Sequence, residues 1–191
     1  MRQFYRSFLM LAVAAPLAAQ GTQQGAAPAA PAAVAPAVGE TAPDFTLPWA
    51  DGNGTKSEPV TLSKLRGQVV VLAFYPADFT GGCTIEMTKF RDEYKTMFGD
   101  GVTVIPISHD SLSTHTRWVN DKSFPFALAS DTTGDVAKQY ASFNATRPRS
   151  FSRTVYVIGK DGKIAWASQR FNVNAQVGYD DLAAAVAAAK K

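Results

Sequence analysis

The residues Tyr75-Pro76-Ala77-Asp78-Phe79-Thr80-Gly81-Gly82-Cys83 leave an apolar run, turn through two glycines and enter an amphipathic stretch with a cysteine in its first turn. Backbone N–H groups at a helix start have no intrahelical partner, and the helix dipole is positive there. Both favour a thiolate over a thiol and lower the cysteine pKa from ~8.5, and the thiolate is the nucleophile. A fast enzyme also needs oriented donors for its substrate. Thr80 is the nearest, with a hydroxyl that can face the sulfur and a bound ligand or cap the helix. Pro76 reads as a strand terminator or as a shield over a pocket. Gly81 and Gly82 form the turn and let backbone amides approach the sulfur. A lone cysteine on a helix is by default a small core hydrophobe. Polar Thr80 and two glycines do not make an apolar wall, so the segment points to a reactive thiol. Cys83 is the only cysteine in the 191 residues. That excludes an intramolecular disulfide, a CxxC redox pair and any zinc site built from two or more thiolates.

Four apolar, β-branched runs are expected as the strands that position this segment: Gln68–Tyr75, Val102–Ser108, Thr154–Gly159 and Ile164–Ser168. The first is almost continuously apolar, as in a strand covered on both faces. From Cys83 to Phe98, Met87, Phe90, Tyr94, Met97 and Phe98 recur at three- and four-residue steps, which predicts one amphipathic helix. Leu112–Lys122, Asp135–Tyr140 and Asp180–Lys191 are further helical patterns. A helix between the first two strands implies a right-handed crossover and parallel pairing, and Lys160-Asp161-Gly162 marks an antiparallel hairpin between the last two. The expected fold is a three-layer α/β domain with a mixed central sheet and helices on both faces.

The spacing Pro76-x-x-x-Thr80-x-x-Cys83 resembles the active-site loop of peroxiredoxins, and FYPADFTGGCTIEMTKFRDEY resembles their bacterioferritin comigratory protein, or Q-type, branch. ETAPDFTLPWADG and VTLSKLRGQVVVLAFYP before the loop, and VIPISHDSLSTHTRW, FPFALASD and GDVAKQY after it, follow the order of that branch. The resemblance implies a thioredoxin-like fold with an N-terminal β-hairpin, and a cysteine peroxidase of antioxidant function reducing hydrogen peroxide and organic hydroperoxides. Cys83 would attack the peroxide and become a sulfenic acid. By the family pattern Thr80 orients the peroxide and Pro76 shields the sulfur from water. Arg153, ahead of Thr154-Val155-Tyr156-Val157-Ile158, stabilises thiolate and transition state, and Glu86 matches a position that orients the arginine, although a solvated helix face also accounts for it. His109 and His115 lack the spacing of a metal site with Cys83, and His115 is expected in a solvated or capping role; no metal or cofactor is expected. Trp118 and Phe124 are expected in the core.

Many Q-type members carry a resolving cysteine five residues after the first; here Thr88 stands at that position. Resolution then falls to an outside thiol, from a thioredoxin-like protein or a small molecule. Gly81 replaces a proline common in the family loop, which should loosen the first helical turn. The contrasting reading is a non-catalytic thioredoxin-fold redox sensor or binding protein that uses Cys83 for mixed disulfides.

MRQFYR followed by FLMLAVAAPLAA has a basic start, an apolar run and small residues at the end, as in a secretory signal, so residues 1–19 are expected to be cleaved. The run contains Pro16 and is shorter than the ~20 residues that span a bilayer. Residues 20–39, rich in Ala and Pro, read as a disordered linker, and residues 40–191 as the folded domain. Export to a periplasmic or secreted location follows. The 19 Lys and Arg exceed the 16 Asp and Glu by three, and Arg2 and Arg6 lie in the expected signal. The surplus that remains is too small for a nucleic-acid or membrane-binding face. A monomer or homodimer is expected.

Overall fold

The computed structural model describes residue 1 and residues 34–191, so the expected signal and most of the expected linker lie outside the described residues. A hydrogen bond from the Gly39 N–H to the Ile164 carbonyl ties the start of the domain to its far side. The chain continues through β1 (Thr46–Leu47), β2 (Trp49–Asp51), β3 (Gly54–Thr55), β4 (Val60–Thr61) and one 3-10 turn to β5 (Val69–Phe74). Next come α1 (Gly81–Asp92), α2 (Tyr94–Met97), β6 (Val102–Ser108), α3 (Leu112–Lys122), β7 (Leu128–Ser130) and α4 (Asp135–Gln139). β8 (Thr154–Ile158), β9 (Ile164–Ser168) and α5 (Gln176–Ala189) complete the domain.

Seven strands form a mixed sheet in the order β3-β2-β7-β6-β5-β8-β9, and β1 pairs with β4 in a two-stranded antiparallel sheet. β5 and β6 run parallel, joined by a helical connection, and β8 and β9 run antiparallel, as the sequence implied. The β8–β9 turn closes with the Gly159 N–H on the Lys163 carbonyl, and Gly162 has φ +76°, a conformation that glycine adopts without strain. β5 alternates between two cores. Val69, Val71, Ala73 and Tyr75 pack with Cys83, Met87 and Phe90 of α1, Trp118 of α3 and Tyr179, Leu182 and Val186 of α5. Val70, Leu72 and Phe74 pack on the other face with Phe45, Leu47, Val136, Tyr140 and Tyr156. Both faces of β5 are dry, which explains its unbroken apolar sequence.

Two element expectations are corrected, and one strand was not expected. The helix expected over Cys83–Phe98 begins two residues earlier, at Gly81, and breaks at Glu93 (φ −103°, ψ 16°) into α1 and α2. The turn lets Tyr94 and Phe98 both keep an edge-to-face contact with core aromatics. The C-terminal helix starts at Gln176 rather than Asp180, with Gln176 Nε2 donating to Asp180 Oδ1 across its first turn. β7 is only three residues long, too short to show a period, and its Ala129 pairs with both Trp49 and Ile107 inside the sheet.

Candidate active site

β5 delivers the chain to the site. Tyr75 extends the pairing with its N–H on the Ile107 carbonyl, and residues 76–80 then cross the end of the sheet to α1. Thr80 occupies the N-cap position in extended geometry, but its hydroxyl does not cap; it donates to the Ala77 carbonyl at 2.9 Å. The threonine side chain therefore pins the loop, and the helix N–H groups beyond it keep no side-chain partner. Thr80 is exposed, whereas Cys83, one turn on, is 1% exposed.

Arg153 reaches α1 from the residue just ahead of β8. Its Nη2 lies 3.3 Å from Cys83 Sγ, and its Nη1 forms an ion pair with Glu86 Oε2. Glu86 is fully buried, one helical turn from Cys83, so it is not on a solvated face. Burial pushes its carboxyl up to about 7 although Arg153 pulls it down. Burial works against the Arg153 guanidinium, yet the Glu86 carboxylate and the Cys83 sulfur outweigh it and hold its pKa raised. Arg153 is thus a fixed cation with one donor on the sulfur and one on its own anchor. Gly82 permits the approach: a Cβ there would stand 3.3 Å from Arg153 Nη2. Gly81 faces open space and is not sterically required. Pro76 and Arg153 line a pocket of about 540 Å³, which meets the site through Arg153 and does not include Cys83 in its wall. The structure therefore brings Cys83, Arg153 and Glu86 into one chain of contacts, with Thr80 and Pro76 on the loop that borders it.

A second buried group holds the same loop from behind. Asp78 accepts from the Tyr75 hydroxyl at 2.7 Å and contacts His115 Nδ1 at 2.8 Å, with the histidine and aspartate side chains 0% and 1% exposed. The Asp78 N–H donates to Asp110 Oδ2, which also accepts from Ser108. His115 is therefore neither solvated nor capping. Its place on the buried stripe with Trp118 and Val119 is the signal for this role, since a polar residue on an apolar face needs a buried partner. Trp118 and Phe124 are in the core as expected.

This geometry agrees with the comparisons to known proteins. The AhpC/TSA family model matches residues 38–167. The chain belongs to the AhpC/TSA family. Within that family it is similar to the peroxiredoxin bcp of Coxiella burnetii, 34% identical over 145 residues that cover 73% of this chain and 93% of that one. It is also 38% identical over 129 residues to the chloroplastic peroxiredoxin Q of Sedum lineare, covering 66% of this chain and 65% of the relative. Among solved structures, peroxidoxin BcpB of Mycobacterium tuberculosis superposes with a TM-score of 0.68 and 30% identity, covering 80% of this chain and 97% of that chain. The AhpC/TSA match takes in the loop, α1 and Arg153, and the thioredoxin-like fold is that of these peroxiredoxins.

Proposed function

We propose that this chain is a thiol-dependent peroxidase working through a sulfenic acid on Cys83, without a resolving cysteine of its own. The observation that carries the reading is the guanidinium of Arg153 at 3.3 Å from a buried sulfur at a helix start. The thiolate attacks one peroxide oxygen, the O–O bond breaks, and water or an alcohol leaves with a proton, so that the sulfur is oxidised by two electrons. Arg153 stabilises negative charge on the sulfur and on the oxygens as it develops in the transition state. Glu86 holds Arg153 in place, Thr80 fixes the loop and offers its hydroxyl oxygen at the mouth, and Pro76 shields the sulfur. An external thiol, from a protein or a small molecule, supplies the electrons, and the chemistry calls on no metal or cofactor. The basic and apolar leader supports export to a periplasmic or secreted location.

The test is stopped-flow oxidation by hydrogen peroxide, followed by Trp fluorescence, with Cys83→Ser as control. A rate far above that of free cysteine and lost in the variant is expected. A rate equal to that of free cysteine would refute the reading and leave a thioredoxin-fold protein that uses its thiol for mixed disulfides.

A further inference from the structure

The pocket that shares Arg153 with the site has a charge that the peroxide chemistry does not use. Arg147, Arg153 and Arg170 line it without any acidic side chain, and Phe151 and Phe171 supply apolar wall. Glu86 answers the charge of Arg153. Arg147 and Arg170 are exposed and form no ion pair among the described residues. Their backbones are fixed. Asn144 Oδ1 accepts from the N–H groups of Thr146 and Arg147, and the Ser150 N–H donates to the Arg147 carbonyl. Arg170 adjoins Phe171, whose N–H donates to the Arg153 carbonyl. Two unanswered guanidinium groups on set backbone therefore flank the arginine that touches the sulfur. Such a surface concentrates small anions, and the guanidinium fork matches a carboxylate. At about 540 Å³ the pocket is in the range of small-molecule sites, with apolar and cationic walls together.

We propose that this pocket seats the resolving thiol and that this thiol is a small molecule carrying a carboxylate, held by Arg147 and Arg170 with its sulfur reaching past Arg153 to Cys83. The proposal rests on the peroxidase reading, which leaves a sulfenic acid on the chain's single cysteine. The incoming thiolate attacks the Cys83 sulfur, the S–O bond breaks, and the hydroxyl leaves as water with the proton of the thiol. A second thiol attacks its like in the mixed disulfide, forming the small-molecule disulfide and returning Cys83 as thiolate. Two thiols are oxidised for one sulfenic acid reduced, and the balance closes.

Sequential-mixing kinetics test this. The protein is first oxidised with one equivalent of hydrogen peroxide, then mixed with mercaptopropionate, mercaptoethanol or cysteamine, which are anionic, neutral and cationic, with rates normalised to thiolate concentration. The anionic thiol is expected to react about tenfold faster than the neutral one, and high ionic strength should shrink the ratio. In the Arg147→Gln, Arg170→Gln double variant the anionic-to-neutral ratio should fall to near one. Equal rates in the parent protein, or a preference that survives in the variant, would overturn the proposal. A second arm oxidises the reduced protein with a carboxylate-bearing and a neutral hydroperoxide. A charge preference confined to that arm would give the pocket to the substrate and overturn its assignment to the thiol. Absence of the first oxidation phase would instead overturn the peroxidase reading, and the proposal with it.

Discussion

At the scale of single residues, the site depends on Arg153 serving two partners at once. A lysine keeps the charge but has no fork, so it cannot hold Glu86 and point a second donor at the sulfur. Arg153→Lys is expected to slow oxidation of Cys83 about a hundredfold, in line with loss of one preorganised donor. Stopped-flow rates at saturating reductant measure this, and a loss below twofold would show that charge alone suffices. Glu86 makes a separate prediction for stability. Its carboxyl is raised in the folded state from 4.5 to about 7, so the folded protein holds a proton there that the unfolded chain has released. The contribution is fully present below pH 4.5 and is lost as pH rises through about 7, amounting to roughly 3 kcal/mol across that window. Glu86→Gln, which never ionises, should flatten the fall in unfolding free energy over this range. Denaturant titrations at a series of pH values read the difference in slope, and parallel curves for parent and variant would place the ionisation elsewhere.

At the scale of elements, the active-site loop is held between α1 and α3, and the hold is polar. Asp78 contacts Tyr75 and His115 in a dry interior, so removing one partner strands the others. His115→Leu should lower unfolding free energy by about 3 kcal/mol, and Tyr75→Phe, which deletes one neutral donor, by about 1 kcal/mol. Urea unfolding checks the order, and a larger loss from Tyr75→Phe would refute this account of the anchor. Little of this network was legible in the sequence, because Asp78 and His115 stand 37 residues apart and no local period joins them. Cys83 and Thr80 were legible because a loop spacing is a local signal, and Arg153 was legible only through the family pattern ahead of a strand. Glu86 was legible only as a position; its burial is set by tertiary packing around α1, which no single helix pattern contains. Among the elements, β5, β6, β8 and β9 announced themselves by apolar runs long enough to cross a buried sheet. The break at Glu93 and the short strand β7 did not, because tertiary contacts decided them.

At the scale of the whole molecule, the sheet separates two cores, and only one of them reaches the chemistry. Val71 and Leu72 are neighbours in β5, both fully buried, facing opposite sides. Val71 belongs to the core that contains Cys83, Met87 and the helix α5 packed beside them; Leu72 belongs to the core of Phe45, Tyr140 and Tyr156. Truncating either to alanine leaves a cavity and should cost about 2 kcal/mol for Val71 and about 3 kcal/mol for Leu72. Their effects on reactivity should differ. A cavity under α1 allows the helix start to shift relative to Arg153 and so to lengthen its 3.3 Å hydrogen bond to the sulfur. Electrostatic stabilisation falls steeply when a donor leaves its aim, so Val71→Ala should slow peroxide oxidation several-fold. Leu72→Ala should leave that rate within twofold while costing more stability, because the rigid strand stands between its cavity and the site. Stopped-flow rates set beside urea unfolding for both variants decide this. Rates that followed stability, with Leu72→Ala the slower, would mean that the sheet transmits strain from one core to the other and that the site depends on the whole fold rather than on one of its faces.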